Sequence, residues 1–332
     1  MNLNMDSSAF PDTVPASGPL GSTEIARLIN LVQDQVASIV MGKDLQIRQC
    51  IACLLAGGHL LIEDLPGVGK TTLAHALAIT LGLRFSRVQF TSDLLPADII
   101  GSSIFDRSDQ RFVFHPGPVF AQLLLADEIN RASPKTQSAL LEAMEERQVS
   151  ADGQTRPLPE PFFVVATQNP VHQLGTFALP ESQLDRFLMC ISLGYPSREA
   201  ERALLLGEDR RAMLSRLTAV ITGAHLAELR RQVAAVHVGM PLVDYVQRLI
   251  DASRDGKRFA EGLSPRAAIA VLQASRAWAL IDGRDYVLPE DVQAVLPSVA
   301  GHRIRPAGAA HARALQVREA IAEWMRVVPV DA

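Results

Sequence analysis

The segment IEDLPGVGKTTLAHAL, Ile62 to Leu77, ends a phosphate-loop pattern, G-x-x-x-x-G-K-[ST], on Gly69, Lys70 and Thr71, but has Asp64 where the pattern's first glycine belongs. Such a loop needs a strand, a turn with inward-pointing backbone N–H groups, and a helix whose positive end faces the anion. HLLIE supplies the strand, DLPGVG the turn and KTTLAHALAITL the helix. Gly67 and Gly69, with Pro66 and Val68 around them, let the backbone approach phosphate without a Cβ in the way. Lys70 is placed for the β- and γ-phosphates and the Thr71 hydroxyl for Mg2+, with Thr72 beside it. Aspartate at position 64 is tolerable, because a short polar side chain bonds local backbone and accepts unusual dihedrals. The only lysines are Lys43, Lys70, Lys135 and Lys257, so one inside the loop is not background.

A second group of residues fits the same chemistry. QLLLADEINRA puts Asp127 and Glu128 directly after an apolar run. A strand ending there would deliver Asp127 to the metal, through water, and Glu128 to the attacking water. FFVVATQNP ends in Thr167, Gln168 and Asn169, and an amide at that place can hold the water or the γ-phosphate. In ASPKTQSALLEAMEE, Ser133 and Pro134 suit the N-cap and first position of a helix. LPESQLDRF carries Arg186, which by itself reads as structural.

The elements that must position these groups are visible as a pattern. Four apolar runs read as buried strands: HLLIE (59–63), RVQFT (87–91), LLLADE (123–128) and FFVVATQ (162–168). Helical stretches alternate with them, beginning with the spacing of Ile25, Leu28, Ile29, Val32 and Val36. The expectation is a doubly wound parallel α/β core over 21–195. GSSIFDRSDQRFVFHPG and RQVSADGQTRPLPEP read as two β-hairpins, the second on an Asp-Gly turn. Near Gly194-Tyr195-Pro196 the texture turns Ala-, Leu- and Arg-rich, so 196–332 is expected to be all-α. Residues 1–20, rich in Ser, Pro and Gly, read as a disordered tail.

Composition removes several function classes. Apolar residues are 48% and charged residues 20%, which is enough to bury a large core. A net charge of −4 gives no general attraction to nucleic acid or anionic membrane. No signal peptide or membrane-length apolar run is visible, and the cytoplasm is the expected location. Cys50 and Cys53 form C-x-x-C, but their apolar neighbours point to core residues rather than a redox or metal pair.

Order and wording of these motifs resemble the MoxR family of AAA+ ATPases. The resemblance is carried by LLAGGHLLIEDLPGVGKTTLA, VQFTSDLLPADIIG, HPGPVFAQLLLADEINRASPKTQSALLEAMEERQV, VVATQNP and LPESQLDRF. It continues through LSPRA and LPEDVQAVLPSVAGHRIR and covers about residues 22–326. It implies an ATPase with ATP and Mg2+ bound by the Asp64–Thr72 loop and Asp127, and with Glu128 as the base. It also implies Asn169 as a first sensor and Arg186 as an arginine finger offered to a neighbouring subunit. Arg266 would be a second sensor on a helical lid, closing over the γ-phosphate. Val40, Met41 and Gly42 fall where relatives pack against adenine, and Arg131 has no assigned role. The resemblance further implies a homo-oligomeric ring, a hexamer, with hairpins facing a pore and a protein client. A separate adaptor bearing a von Willebrand factor A domain is also implied, and the work would be chaperone-like remodelling or maturation, including cofactor or metal insertion. A chelatase-type motor subunit and a DNA-acting motor are the alternatives, and no nucleic-acid partner is expected.

Overall fold

The computed structural model describes residues 21–169, 175–308 and 314–330. The tail expected over 1–20 lies outside them. Two helices come first, α1 (Ser22–Ile39) and α2 (Asp44–Leu55), followed by β1 (Leu60–Glu63), α3 (Lys70–Thr80), β2 (Phe85–Gln89) and α4 (Pro96–Ile100). A hairpin of β3 (Gly101–Asp106) and β4 (Arg111–Pro116) leads to β5 (Leu123–Asp127) and α5 (Pro134–Glu146). A second hairpin, β6 (Gln148–Ala151) and β7 (Gln154–Pro157), precedes β8 (Phe163–Gln168), α6 (Glu181–Leu184) and β9 (Met189–Ile191). Both hairpins stand where the sequence indicates them.

Five strands form one parallel sheet in the order β2-β5-β8-β1-β9. Its central strands are buried on both faces, and alternation divides their side chains between two cores. Leu60, Ile62, Leu123, Leu125, Phe163 and Val165 face one core; Leu61, Leu124, Ala126, Val164 and Ala166 face the other. Two expectations are corrected. The run expected as a buried strand at 87–91 is an edge strand at 85–89 with half-exposed and exposed side chains, because among the described residues β5 is its only strand neighbour. The fifth strand, β9, was not anticipated: Met189-Cys190-Ile191 is too short to show a period and contains one β-branched residue.

From Arg198 onward come α7 (Arg198–Leu206), α8 (Arg210–Leu214), α9 (Gly223–Ala235), α10 (Met240–Ser253), α11 (Pro265–Ile281), α12 (Pro289–Ala300) and α13 (Ala314–Val327). Ser197, Thr222 and Ser264 cap α7, α9 and α11 by accepting from the backbone N–H three residues on. The change of texture near Gly194 is not a break in packing. Buried residues of α9–α13 and of α1–α3 belong to one cluster that also covers a face of the sheet. Cys50 and Cys53 are fully buried in it, and burial pushes both thiols up.

His59 closes the sheet at the start of β1. Its Nδ1 accepts from the Val164 N–H at 3.0 Å, so Nε2 carries the proton and donates to the Met144 carbonyl at 3.2 Å. Burial lowers its pKa from 6.5 to about 4. Below 6.5 the unfolded chain takes up this proton while the folded chain does not, so the stability His59 contributes is lost as pH falls from 6.5 towards 4. The full shift corresponds to about 3 kcal/mol. In urea melts, the advantage of the wild type over His59→Gln is expected to shrink by about 3 kcal/mol between neutral pH and the acid end of that window. An advantage independent of pH would show that the imidazole is not held neutral.

Candidate active site

The phosphate loop leaves the C-terminal end of β1 and runs into α3. Gly67 and Gly69 have φ of +80° and +94°, values that an L side chain rarely adopts, so their identity follows from the turn itself. A Cβ built on either would meet nothing within 4 Å, so the concave side is open. Pro66 is exposed and Val68 leans on the large core. Helix α3 has no side-chain cap and no acidic residue in its first turn, leaving its first N–H groups free for an anion. Lys70, Thr71 and Thr72 open this helix.

Lys70 is buried and donates to the Asp64 carbonyl at 2.7 Å and to Asn169 Oδ1 at 3.2 Å. One of its three protons has no acceptor among the described residues. Burial pulls its pKa down, against the pull of the Asp64, Asp127 and Glu128 carboxylates. Such a half-satisfied buried ammonium at a helix N-terminus fits a polyphosphate.

Asp64 explains the departure from the pattern. Its Oδ1 accepts from the Leu65 N–H at 2.8 Å, the local bond the sequence suggests. Its Oδ2 accepts from the Gly194 N–H at 2.6 Å and from Ser192 Oγ at 3.1 Å. Lys43 reaches the same segment, donating to the carbonyls of Leu193 at 2.5 Å and Tyr195 at 2.8 Å. The carboxylate therefore ties the loop to the chain leaving β9, and Asp64 serves the cradle through its backbone carbonyl. Val40, Met41 and Gly42 immediately precede Lys43 at this junction. Arg210 of α8 donates to Met41 Sδ at 3.0 Å, and Ala200 of α7 lies 3.4 Å from where a Gly42 Cβ would stand.

The carboxylates sit at the C-terminal end of β5, beside the loop. Asp127 Oδ1 accepts from Thr167 Oγ1 at 2.6 Å, and Oδ2 accepts from Arg87 at 2.7 and 3.2 Å. Thr167 in turn accepts from the Glu128 N–H at 2.9 Å. Glu128 has φ +55°, a sparsely populated value that a residue at a functional strand end can carry. Its Oε1 accepts from Asn169 Nδ2 at 3.1 Å and its Oε2 from Arg131 at 2.8 Å. Asn169 thus bridges Lys70 and Glu128, and Arg131 is the second hand on Glu128. Sequence reasoning missed Arg87 and left Arg131 without a role. Arg131 stands three residues from Glu128, a readable spacing, whereas Arg87 meets Asp127 only because β2 pairs with β5.

Arg186 and Arg266 are elsewhere. Arg266 Nη2 lies 2.5 Å from Glu145 Oε2, and Arg186 Nε lies 3.9 Å from the same oxygen. Glu145 follows Met144, whose carbonyl is held by His59 at the N-terminal start of β1. The phosphate loop leaves the other end of that strand, and four strand residues span about 13 Å. In this structure Arg266 therefore pairs with Glu145 at the end of the sheet opposite its own subunit's phosphate loop. Ser264, which caps α11, bonds Asp185 at 3.3 Å, and this holds Arg266 next to Arg186 instead.

A parallel sheet with a phosphate loop, an Asp-Glu pair and a polar strand end converging at its C-terminal edge, followed by packed helices, defines an ATPase of the AAA+ class. Residues 59–189 match the profile of the ATPase family associated with various cellular activities (AAA), and residues 251–323 match the AAA lid domain. The chain is 42% identical over 304 residues to the uncharacterized protein YeaC of Bacillus subtilis, covering 91% of this chain and 95% of that one. It is 42% identical over 299 residues to chaperone MoxR1 of Mycobacterium tuberculosis, covering 87% and 79%. A solved structure from Cytophaga hutchinsonii, provisionally assigned as an ATPase, superposes with a TM-score of 0.84 at 37% identity, over 93% of this chain and 96% of that one. The chain belongs to the MoxR family of AAA+ ATPases.

Proposed function

We propose that this chain hydrolyses ATP within a ring of its own copies and uses the energy for chaperone-like remodelling or maturation of a partner protein in the cytoplasm. The observation that carries this reading is a division of parts. Lys70, Asp127, Glu128 and Asn169 form one bonded network at one end of the sheet, and Arg186 and Arg266 stand together at the other. An arginine that cannot reach its own loop is useful to a neighbour's. A hexameric ring brings the two ends together.

In this reading the α3 N-terminus and Lys70 hold the phosphates. Glu128, released by Asn169 and Arg131, takes the proton of the attacking water. Thr71 and Asp127 would hold Mg2+, a hard cation suited to hydroxyl and carboxylate oxygen, which supplies charge neutralisation at the phosphates. Arg186 and Arg266 stabilise the charge that develops on the neighbour's γ-phosphoryl group. The turn at 40–42 borders the adenine. The core would end near residue 195 and the helical lid begin at 196, a junction gripped by Asp64 and Lys43.

The client and a separate adaptor with a von Willebrand factor A domain are tested by trapping. Glu128→Gln loaded with ATP is expected to retain partner proteins that Lys70→Ala does not. Hydrolysis stimulated by DNA, with no protein retained, would replace remodelling by a DNA-acting motor.

Asp64 supplies another expected result. Asp64→Gly restores the general pattern yet cuts the bonds to Ser192 and Gly194. Bonds to a charged acceptor are worth about 1.5–3 kcal/mol, so nucleotide affinity should fall about tenfold or more. Affinity equal to the wild type would show that the tie does not serve the loop.

A further inference from the structure

Glu145 has no part in the roles assigned so far. It is the penultimate residue of α5, and its Oε2 faces two guanidinium groups that arrive from different elements. Arg186 comes from the turn between α6 and β9, and Arg266 from the first turn of α11. Two cations brought to one place repel each other, and a single carboxylate between them reverses that cost. Among the described residues no other carboxylate pairs with either arginine. The backbone beneath is held independently: Asp185 accepts from Arg303 Nε at 2.6 Å and from Ser264 Oγ at 3.3 Å. The hydrogen bond from Arg266 holds the Glu145 carboxyl below the usual carboxylate range, so Glu145 carries its negative charge at neutral pH. All three side chains keep about a third to a half of their surface open, so the cluster is accessible to a second copy.

We propose that Glu145 is a positioning residue that gathers Arg186 and Arg266 into one preorganised two-cation arm, presented to the nucleotide of the neighbouring copy. The proposal rests on the reading that Arg186 acts across a subunit interface. Glu145 itself touches no nucleotide. Its contribution is to hold two long, flexible side chains in register with a γ-phosphate, and misplacement of about 1 Å can cost on the order of a hundredfold in rate. Its effect on stability is small, since a partly exposed ion pair contributes about 0–1 kcal/mol.

The test mixes two inactive full-length subunits. Glu128→Gln keeps its arginine arm and loses its base; Arg186→Ala keeps its base and loses its arm. If arms work across interfaces, the mixture hydrolyses ATP although neither component does. Glu145→Gln is then added to one component at a time. In the Glu128→Gln subunit, which donates the arm, it is expected to lower the recovered rate ten- to a hundredfold. In the Arg186→Ala subunit, whose arm is already disabled, it is expected to leave that rate unchanged. Melting temperature, sedimentation and nucleotide affinity should not move in either case. Equal loss from both placements, no loss from the donor, or a faster rate each overturns the positioning role while leaving the interface reading standing. Absence of any recovery before Glu145 is touched overturns the interface reading, and the proposal with it.

Discussion

Arg186→Ala is expected to lower ATP turnover by about 10³-fold or more, while nucleotide affinity stays within about twofold of the wild type. The asymmetry follows from where the side chain is. Arg186 lies in the turn just before β9, which pairs in parallel with β1, and its carboxylate neighbour is Glu145. The loop that binds phosphate leaves the far end of β1, so removing Arg186 takes nothing from its own subunit's cradle. On the proposed reading, what it removes is charge stabilisation in the site of the next copy. The wild-type enzyme should accordingly show a specific activity that rises with protein concentration as the ring assembles. Turnover and affinity measured across a dilution series check both statements. Full activity in a preparation shown by sedimentation to be monomeric would end the ring reading and leave a self-sufficient nucleotide hydrolase.

Glu128→Gln should bind ATP normally and hydrolyse it about 10²–10⁴ times more slowly. The amide has the shape of the carboxylate and can still accept from Asn169 Nδ2, which now bonds Glu128 Oε1. It cannot accept the water's proton, and its amino group would face Arg131, which now donates to Oε2. Lys70, Thr71 and Asp127 are untouched, so affinity should hold. Lys70→Ala is the complementary case: it removes the buried ammonium and should weaken binding itself. Phosphate release under single-turnover conditions separates the two. A Glu128→Gln enzyme working at the normal rate would withdraw the base from that position.

Much of this site could be read along the chain because its parts are local. The strand, turn and helix of the phosphate loop are consecutive, and the glycines it requires have the positive φ values that make them necessary. Asp127 closes a strand whose five residues are all buried, with Glu128 directly after it, and the preceding Leu123–Ala126 form an unbroken apolar run that stands out from its surroundings. The second hairpin carried its Asp-Gly turn signal, and the cap of α5 was visible as Ser-Pro. The residues that escaped are those whose partners come from a distant segment. Arg87 reaches Asp127 across paired strands, and Thr167 joins Asp127 to the Glu128 backbone from the strand on the other side. The carboxylate of Asp64 bonds residues about 130 positions later. In each case the strand order β2-β5-β8-β1-β9 decides the meeting, and no spacing within the chain encodes that order directly.

By itself the sequence determined the family, the α/β core with its helical sequel, and the chemical groups proposed to handle phosphate, because loop geometry, strand burial and helix capping act over a few neighbouring residues. Only the tertiary structure decided which end of the sheet each group occupies. It turned Asp64 away from the cradle towards Gly194, and it placed Arg266 beside Arg186 rather than over its own loop. The physical reason is that a parallel sheet has two distinct ends, and the packing of α11 against the turn before β9 assigns its first arginine to the end without the phosphate loop.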